Sequence, residues 1–168
     1  MVNHRLALAV AGMLGVAISQ PMAASTSPDM SFAQKAAAGG LAEVALGQLT
    51  QLNAGSPQVK RFGQKMMTDH QQANEELQQI AQKENITLPS QPDSKDQAEQ
   101  RRLSSLRGAA FDSTYAQDMV RDHQQDVAEF QREVQSGKDP VLKAFAQKTL
   151  PVLRQHLQMA QALTSQRQ

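Results

Sequence analysis

The sequence predicts an all-helical protein, a four-helix bundle built from two helical hairpins. Beyond residue 30, apolar side chains recur in steps of three and four residues, and no β-branched run alternates with period two. Glycine and proline are confined to short breaks that separate four long segments. Residues 56–65 and 139–148 share a proline, a phenylalanine, a glutamine and two lysines at an offset of 83. This repeat predicts that two hairpins have the same design.

The first 24 residues have the three parts of a secretory signal peptide. Arg5 supplies a basic end, residues 6–18 form an unbroken apolar run, and Ala23 and Ala24 are small residues suited to cleavage. A membrane span needs about 20 apolar residues, and no later stretch approaches that length. We therefore expect a signal peptide over 1–24, a disordered lead-in over 25–30 and a domain over 31–164. The mature protein is expected to be periplasmic or secreted, with outer-membrane association and an uncleaved anchor as alternatives.

Capping residues set the predicted bounds of the first hairpin. Ser31 with Gln34 predicts a capping box at the start of the first helix, and Gly55 ends that helix. Ser56 followed by Pro57 is an N-cap with proline in the first turn, which starts the second helix. These two helices are predicted over 31–53 and 57–84.

A long connection separates the two hairpins. Prolines between residues 85 and 92 break the chain, and Ser94 with Gln97 then predicts a short helix that ends near Gly108. A connection of some 27 residues can run the length of a bundle, as it does in ferritin-like folds.

The second hairpin repeats the signals of the first. Asp112 is predicted to cap the third long helix, and Gly137 to end it. Asp139 followed by Pro140 then repeats the combination of N-cap and proline. These two helices are predicted over 112–135 and 140–164.

Composition excludes several classes of function. The chain has no cysteine, which removes disulfides, thiolate metal sites and cysteine nucleophiles. Residues 25–168 carry 16 basic and 16 acidic side chains, and the whole chain has one tyrosine and no tryptophan, so nucleic acid is not an expected partner. No nucleophile is paired with a base by motif, and no catalytic residue is predicted.

Three histidines lie on the core lines of the last three long helices. Each apolar stripe, taken in steps of three and four residues, contains one of them: His70, His123 and His156. All three lie near the middle of their helices, and mid-helix positions share one level whichever way a bundle is wound. We therefore expect their imidazoles to point into one central space.

Glu43 is the predicted acidic member of this level. It lies near the centre of the first helix on the same face as Gly47, whereas the opposite face, with Leu41 and Leu49, is more apolar. Periodicity alone would turn Glu43 outward. The hairpin repeat instead places it one turn beyond the position that matches His123, and we therefore expect it to reach the centre.

Methionines accompany the histidines. All four methionines after residue 30 lie three or four residues from one of the three histidines, which places thioether and imidazole on the same side of a helix. This mixture of donors suits a soft cation such as Cu(I) better than Ca²⁺ or Mg²⁺. The predicted ligands of copper or zinc are Glu43, His70, His123, His156, Met66, Met119 and Met159.

The same residues allow a structural interpretation. A lone buried histidine is more often a hydrogen-bonded structural residue than a ligand, and methionine commonly fills gaps in helical cores. The alternative is a non-catalytic envelope stress or interaction protein with a buried histidine network. Tyr115 and Asp126 are candidates for holding the ligands in place, although Asp126 fits a surface position better. Asp69 and Asp122 precede histidines, and we expect them to point elsewhere.

Five segments together resemble a known family over residues 31–164. They are Gly39-Gly-Leu-Ala-Glu43, Met66-Met-Thr-Asp-His70, Phe111-Asp-x-x-Tyr115, the segment around His123, and Leu150-Pro-x-Leu-Arg-x-His156. The chain in this respect resembles the ferritin-like family of exported bacterial proteins known as domain of unknown function 4142. The resemblance implies a ferritin-like bundle and an exported location. It does not imply di-iron chemistry, because the Glu-x-x-His pairs of such sites are missing at all three histidines.

Overall fold

The computed structural model of the protein describes residues 27–165, which form five α-helices and no β-strand. The all-helical class is therefore confirmed. The predicted signal peptide and residues 25 and 26 lie outside the described residues. The helices are α1 (Pro28–Asn53), α2 (Pro57–Glu84), α3 (Ser94–Ser104), α4 (Gly108–Ser136) and α5 (Pro140–Ser165).

Helix α1 begins three residues earlier than predicted. Ser27 is its N-cap, with the side-chain oxygen accepting the N–H of Met30 at 3.1 Å, and Pro28 follows in the first turn. Residues 28–30 are thus helical, and the prediction that they belong to a disordered lead-in is wrong. The cap is the same serine–proline signal that starts α2 at Ser56.

Helix α4 begins four residues before Asp112, so the prediction that Asp112 caps it is wrong. The Asp112 carboxylate instead accepts the backbone N–H groups of Gly55 and Ser56, at 3.1 and 2.9 Å. It therefore fastens the turn between α1 and α2 to α4. Gly108 starts α4 with a φ of 58°, a left-handed conformation that glycine adopts without strain.

Helix α3 is shorter and starts differently from the prediction. Its N-cap is Asp93 rather than Ser94, with Oδ1 of Asp93 accepting the N–H of Asp96 at 2.9 Å. The helix ends at Ser104, short of Gly108. It lies against α1 and α4.

The long helices pack most extensively within the two pairs α1–α2 and α4–α5, and contacts between α2 and α5 and between α1 and α4 join the pairs.

Glycines permit the close approach of α1 and α2. A Cβ at Gly47 would lie 2.7 Å from the carbonyl oxygen of Gly63, and one at Gly63 would collide with Thr50. This contact explains why the less apolar face of α1 turns inward and carries Glu43 with it.

The buried core consists of two apolar clusters. The first contains Phe32, Leu77, Phe130 and Leu153, and the second contains Leu46, Met66, Met119 and Ala160. On α2 and α4 a histidine lies between a member of the second cluster and a later member of the first, and on α5 the order is reversed. A polar level therefore separates the two clusters.

A buried carboxyl pair lies near the start of α1. Asp29 accepts the backbone N–H groups of Lys138 and Asp139, at 3.0 and 3.2 Å, in the turn between α4 and α5. Burial, followed by the nearby charges of Asp29, Asp139 and Glu129, raises the pKa of Glu133 to about 7. A carboxyl whose pKa is raised on folding favours the native state at low pH, and this contribution is lost as the pH rises through 7.

Candidate metal centre

The structure brings His70, His123 and His156 together in one space. Their ring centroids are 5.4 to 5.8 Å apart, and one ring nitrogen from each lies within 4.8 Å of those of the other two. All three side chains are buried. Three separate helices supply them, so the packing of α2, α4 and α5 rather than any local motif creates the cluster.

Hydrogen bonds fix the proton positions on two of the rings. Nδ1 of His123 lies 3.0 Å from the carbonyl oxygen of Met119, and a carbonyl can only accept, so Nδ1 carries the proton. Nε2 of His156 lies 2.7 Å from Oδ2 of Asp69 and donates to that carboxylate. In a neutral imidazole the other nitrogen then holds a lone pair: Nε2 of His123 and Nδ1 of His156.

One buried ring nitrogen of each histidine has no hydrogen-bond partner among the described residues. Among residues 27–165, no hydrogen bond reaches the buried Nε2 of His123, Nδ1 of His156 or Nε2 of His70. An unsatisfied buried acceptor costs about 1 to 3 kcal/mol. Two lone-pair nitrogens and the unpartnered nitrogen of His70, in neighbouring rings, therefore form a cluster that a cation would stabilise.

Burial also keeps the rings neutral. It lowers the pKa of His123 to about 3, and it lowers the pKa of His70 well below its usual value. Burial lowers the pKa of His156 as well, although the Asp69 carboxylate partly offsets this. Metal-binding imidazoles must be deprotonated, and these three are deprotonated at neutral pH without a metal.

Asp69 is a candidate functional residue that the sequence did not indicate. We expected it to point away from the centre because it precedes His70, but it bonds to His156 on another helix. Burial alone would raise the pKa of Asp69, but hydrogen bonds from Lys65 and His156 outweigh this and lower it. A histidine ligand whose second nitrogen donates to a carboxylate is the usual arrangement at metal sites.

Glu43 is buried as predicted, but it lies beside Nδ1 of His123, not beside the unpartnered Nε2 of that ring. Its Oε1 lies 3.8 Å from Nδ1 of His123, whereas the unpartnered nitrogen of that ring is Nε2. Burial and the charges of Asp126 and Asp122 raise the pKa of Glu43 well above its usual value. Tyr115 is fully buried, and the charge of Glu43 adds to burial in raising its pKa.

The candidate methionine ligands lie on one side of the histidine level. Met66 and Met119 are fully buried members of the second apolar cluster, and Met159 packs against that cluster. Their sulfur atoms are weak ligands that favour Cu(I) over hard cations.

Comparison with known proteins identifies the family. The model of a family described as "Domain of unknown function (DUF4142)" matches residues 16–163. The chain belongs to this family. No curated protein matches it.

A solved structure is similar to this DUF4142 chain. It is the crystal structure of a DUF305 protein of Streptomyces coelicolor that is described as secreted. The TM-score is 0.73 at 17% identity, with 86% of this chain and 94% of that chain covered. At this identity the likeness shows the fold alone. Within residues 27–165, no helix is both long and apolar enough to cross a membrane.

A second group of potential ligands in the DUF4142 chain adjoins the first. Glu43, His123 and Asp126 offer atoms within 4.8 Å of one another. Asp126 was a candidate for holding ligands in place, and the structure puts it half-buried beside Glu43 rather than fully in solvent. Burial and the charges of Asp122 and Asp96 raise its pKa to about 7. Asp122 lines the same cavity as Glu43 and Asp126 and pairs with Lys95 at 3.8 Å.

Proposed function

We propose that the protein binds one copper or zinc ion through His70, His123 and His156, as a periplasmic or secreted protein. The observation that carries this proposal is the set of three buried, unpartnered ring nitrogens in adjacent imidazoles. An apolar core gains nothing from three unpartnered ring nitrogens, whereas a metal ion would bind all three at once.

The surroundings of two histidines support the same role. Asp69 and the Met119 carbonyl hold His156 and His123 in the tautomers that leave one lone pair on each ring for a metal. Nitrogens around a tetrahedral or trigonal ion lie about 3.3 Å apart, given metal–nitrogen bonds of about 2.0 Å. One nitrogen from each ring lies within 4.8 Å of those of the other two, so binding an ion would require the side chains to move closer together.

Methionine sulfur would complete the ligand set. Met66, Met119 and Met159 lie three or four residues from the three histidines, so a thioether is available as a fourth ligand on the side of the second apolar cluster. A thioether would favour Cu(I), and a site of three histidines alone would serve Zn²⁺ equally well. In this proposal Glu43 contacts His123 from its Nδ1 side and is not a ligand of the same ion.

The proposed helix arrangement is a ferritin-like bundle, and the proposed location is outside the cytoplasm. The helix contacts support a ferritin-like four-helix bundle of two hairpins with α3 in the long connection. The apolar run at 6–18 and the secreted status of the DUF305 neighbour support export. The alternative, an envelope stress or interaction protein with a structural histidine network, would require these rings to be hydrogen-bonded partners.

Metal-dependent melting tests the proposal. Purified metal-free protein is melted with Zn²⁺, or with Cu(I) under reductant, at a hundredfold excess over the dissociation constant. We expect about 3 kcal/mol of stabilisation, seen as a rise of several degrees in Tm. His123→Ala should abolish the rise, and Glu76→Gln, which changes a partly buried carboxylate of α2, should leave it unchanged. No metal-dependent rise in the unsubstituted protein would favour the interaction protein.

A further inference from the structure

A cavity of about 690 Å³ opens beside the histidine cluster, between α1, the connection after α2, α3 and α4. Seven carboxylates and two lysines line it. Both lysines are exposed and pair with single carboxylates: Lys35 with Glu129 at 3.3 Å and Lys95 with Asp122 at 3.8 Å. Carboxylates therefore outnumber lysines along the walls of the cavity, seven to two.

The buried end of this cavity holds an unpartnered ligand atom. Glu43 lines the cavity and is only 4% exposed. Its Oε2 is buried and receives no hydrogen bond from any residue between 27 and 165. This oxygen is an independent sign of a missing ligand, beyond the acidic character of the walls.

The chemistry of the neighbouring atoms selects the kind of ligand. Glu43, His123 and Asp126 bring potential ligand atoms within 4.8 Å of one another. On this side of its ring His123 presents Nδ1, which donates to the Met119 carbonyl and has no lone pair to offer. The available donors are therefore carboxylate oxygens, which suit Mg²⁺, Ca²⁺ or Mn²⁺ rather than copper.

We propose that the buried end of the acidic cavity is a second cation site, in which Glu43 and Asp126 bind a hard divalent cation. Two carboxylates with water in the other positions are a common way for proteins to hold such ions, and the cavity has room for that water. The site differs from the three-histidine site in its ligands and in the side of His123 that it adjoins. It does not depend on the function proposed above.

Mn²⁺ is the probe, because the electron paramagnetic resonance signal of the free ion disappears on binding. We expect one Mn²⁺ per protein, with Asp126→Asn weakening its binding at least tenfold. Glu133→Gln removes another buried carboxylate of α4 that lies outside the cavity, and it should leave Mn²⁺ binding unchanged. His70→Ala should leave Mn²⁺ binding unchanged while it weakens Zn²⁺ binding, which separates the two proposals.

A measurement on the unsubstituted protein keeps the test independent of how well the variant folds. Mn²⁺ at this site should broaden the amide resonances of Gly39 and Ala42, which line the cavity, before those of Leu77 and Ala146 in the first apolar cluster. No Mn²⁺ binding at millimolar concentration, equal affinity in folded Asp126→Asn, or loss of Mn²⁺ in His70→Ala would overturn the proposal. Tighter binding of spermidine than of Mn²⁺ would overturn it as well, in favour of an organic cation.

Discussion

Asp69→Asn tests whether Asp69 holds His156 in the tautomer that can bind a metal. Oδ2 of Asp69 lies 2.7 Å from Nε2 of His156 and accepts its proton. Asparagine preserves the shape but removes the charge, and its amide group can donate a hydrogen bond to Nε2 instead. His156 would then carry its proton on Nδ1, the nitrogen that faces the proposed ion. The substitution should therefore impair metal binding without removing a ligand.

The expected loss of metal affinity follows from the strength of contacts between a carboxylate and a histidine ligand. Removing the carboxylate partner of a histidine ligand typically costs 10- to 100-fold in metal affinity, or about 1.4 to 2.7 kcal/mol. The loss of fold stability should be smaller, because the partly exposed pair between Asp69 and Lys65 contributes at most about 1 kcal/mol. Affinity and stability should therefore respond differently.

Competition with a chelator of known affinity measures this effect. Zn²⁺ and Cu(I) are each titrated into the unsubstituted protein, Asp69→Asn and the control Glu76→Gln. Glu76 also joins α2 to α5, through an ion pair with Lys148 at 2.8 Å, but it does not contact a histidine. We expect weaker metal binding in Asp69→Asn alone. Equal affinities in all three proteins would refute the role assigned to Asp69 and the tautomer argument behind it.

Three further substitutions test separate parts of the structure. Met119→Leu should weaken Cu(I) but not Zn²⁺ in the same competition assay, with Met67→Leu unchanged; an equal effect on both metals would exclude sulfur ligation. Glu133→Gln should stabilise the protein by about 1 to 2 kcal/mol at pH 8 and by less at pH 5, because the native carboxyl titrates at about 7. Equal gains in Tm at the two pH values would contradict this. Gly47→Ala should cost about 1 to 3 kcal/mol in urea unfolding, because its Cβ would meet backbone at 2.7 Å, whereas Gly39→Ala has free space and should not destabilise the protein. Equal effects of the two glycine substitutions would refute the close packing of α1 on α2.

Local signals predicted the helices well where they act within one helix. Ser56 with Pro57 started α2 as expected, and apolar periodicity placed all three histidines on buried faces. The starts of α1 and α3 were misplaced although their caps, Ser27 and Asp93, are local. The other errors concern residues whose partner is distant in sequence. Asp112 resembles an N-cap, but its carboxylate binds the turn at Gly55, 57 residues away. No local pattern records such a contact.

At the candidate site, features within one helix and contacts between helices again differ in how well the sequence predicts them. Periodicity predicted that the histidines would be buried, but the role of Asp69 depends on His156, 87 residues away. Glu43 faces inward because glycines let α1 approach α2 closely, and the apolar pattern of α1 alone pointed the other way. Here the hairpin repeat supplied the correct orientation. The repeat could do so because it reflects packing between helices, which periodicity within one helix does not.

The direct test of the central claim is a crystal structure of the protein loaded with Zn²⁺ or Cu(I), with anomalous scattering measured at the absorption edge of the metal. We expect one anomalous peak about 2.0 to 2.1 Å from three specific atoms: Nε2 of His70, Nε2 of His123 and Nδ1 of His156. Asp69 should still accept the proton of His156 in that structure. A loaded crystal with no peak between the three rings, or with the metal on other residues, would contradict the claim.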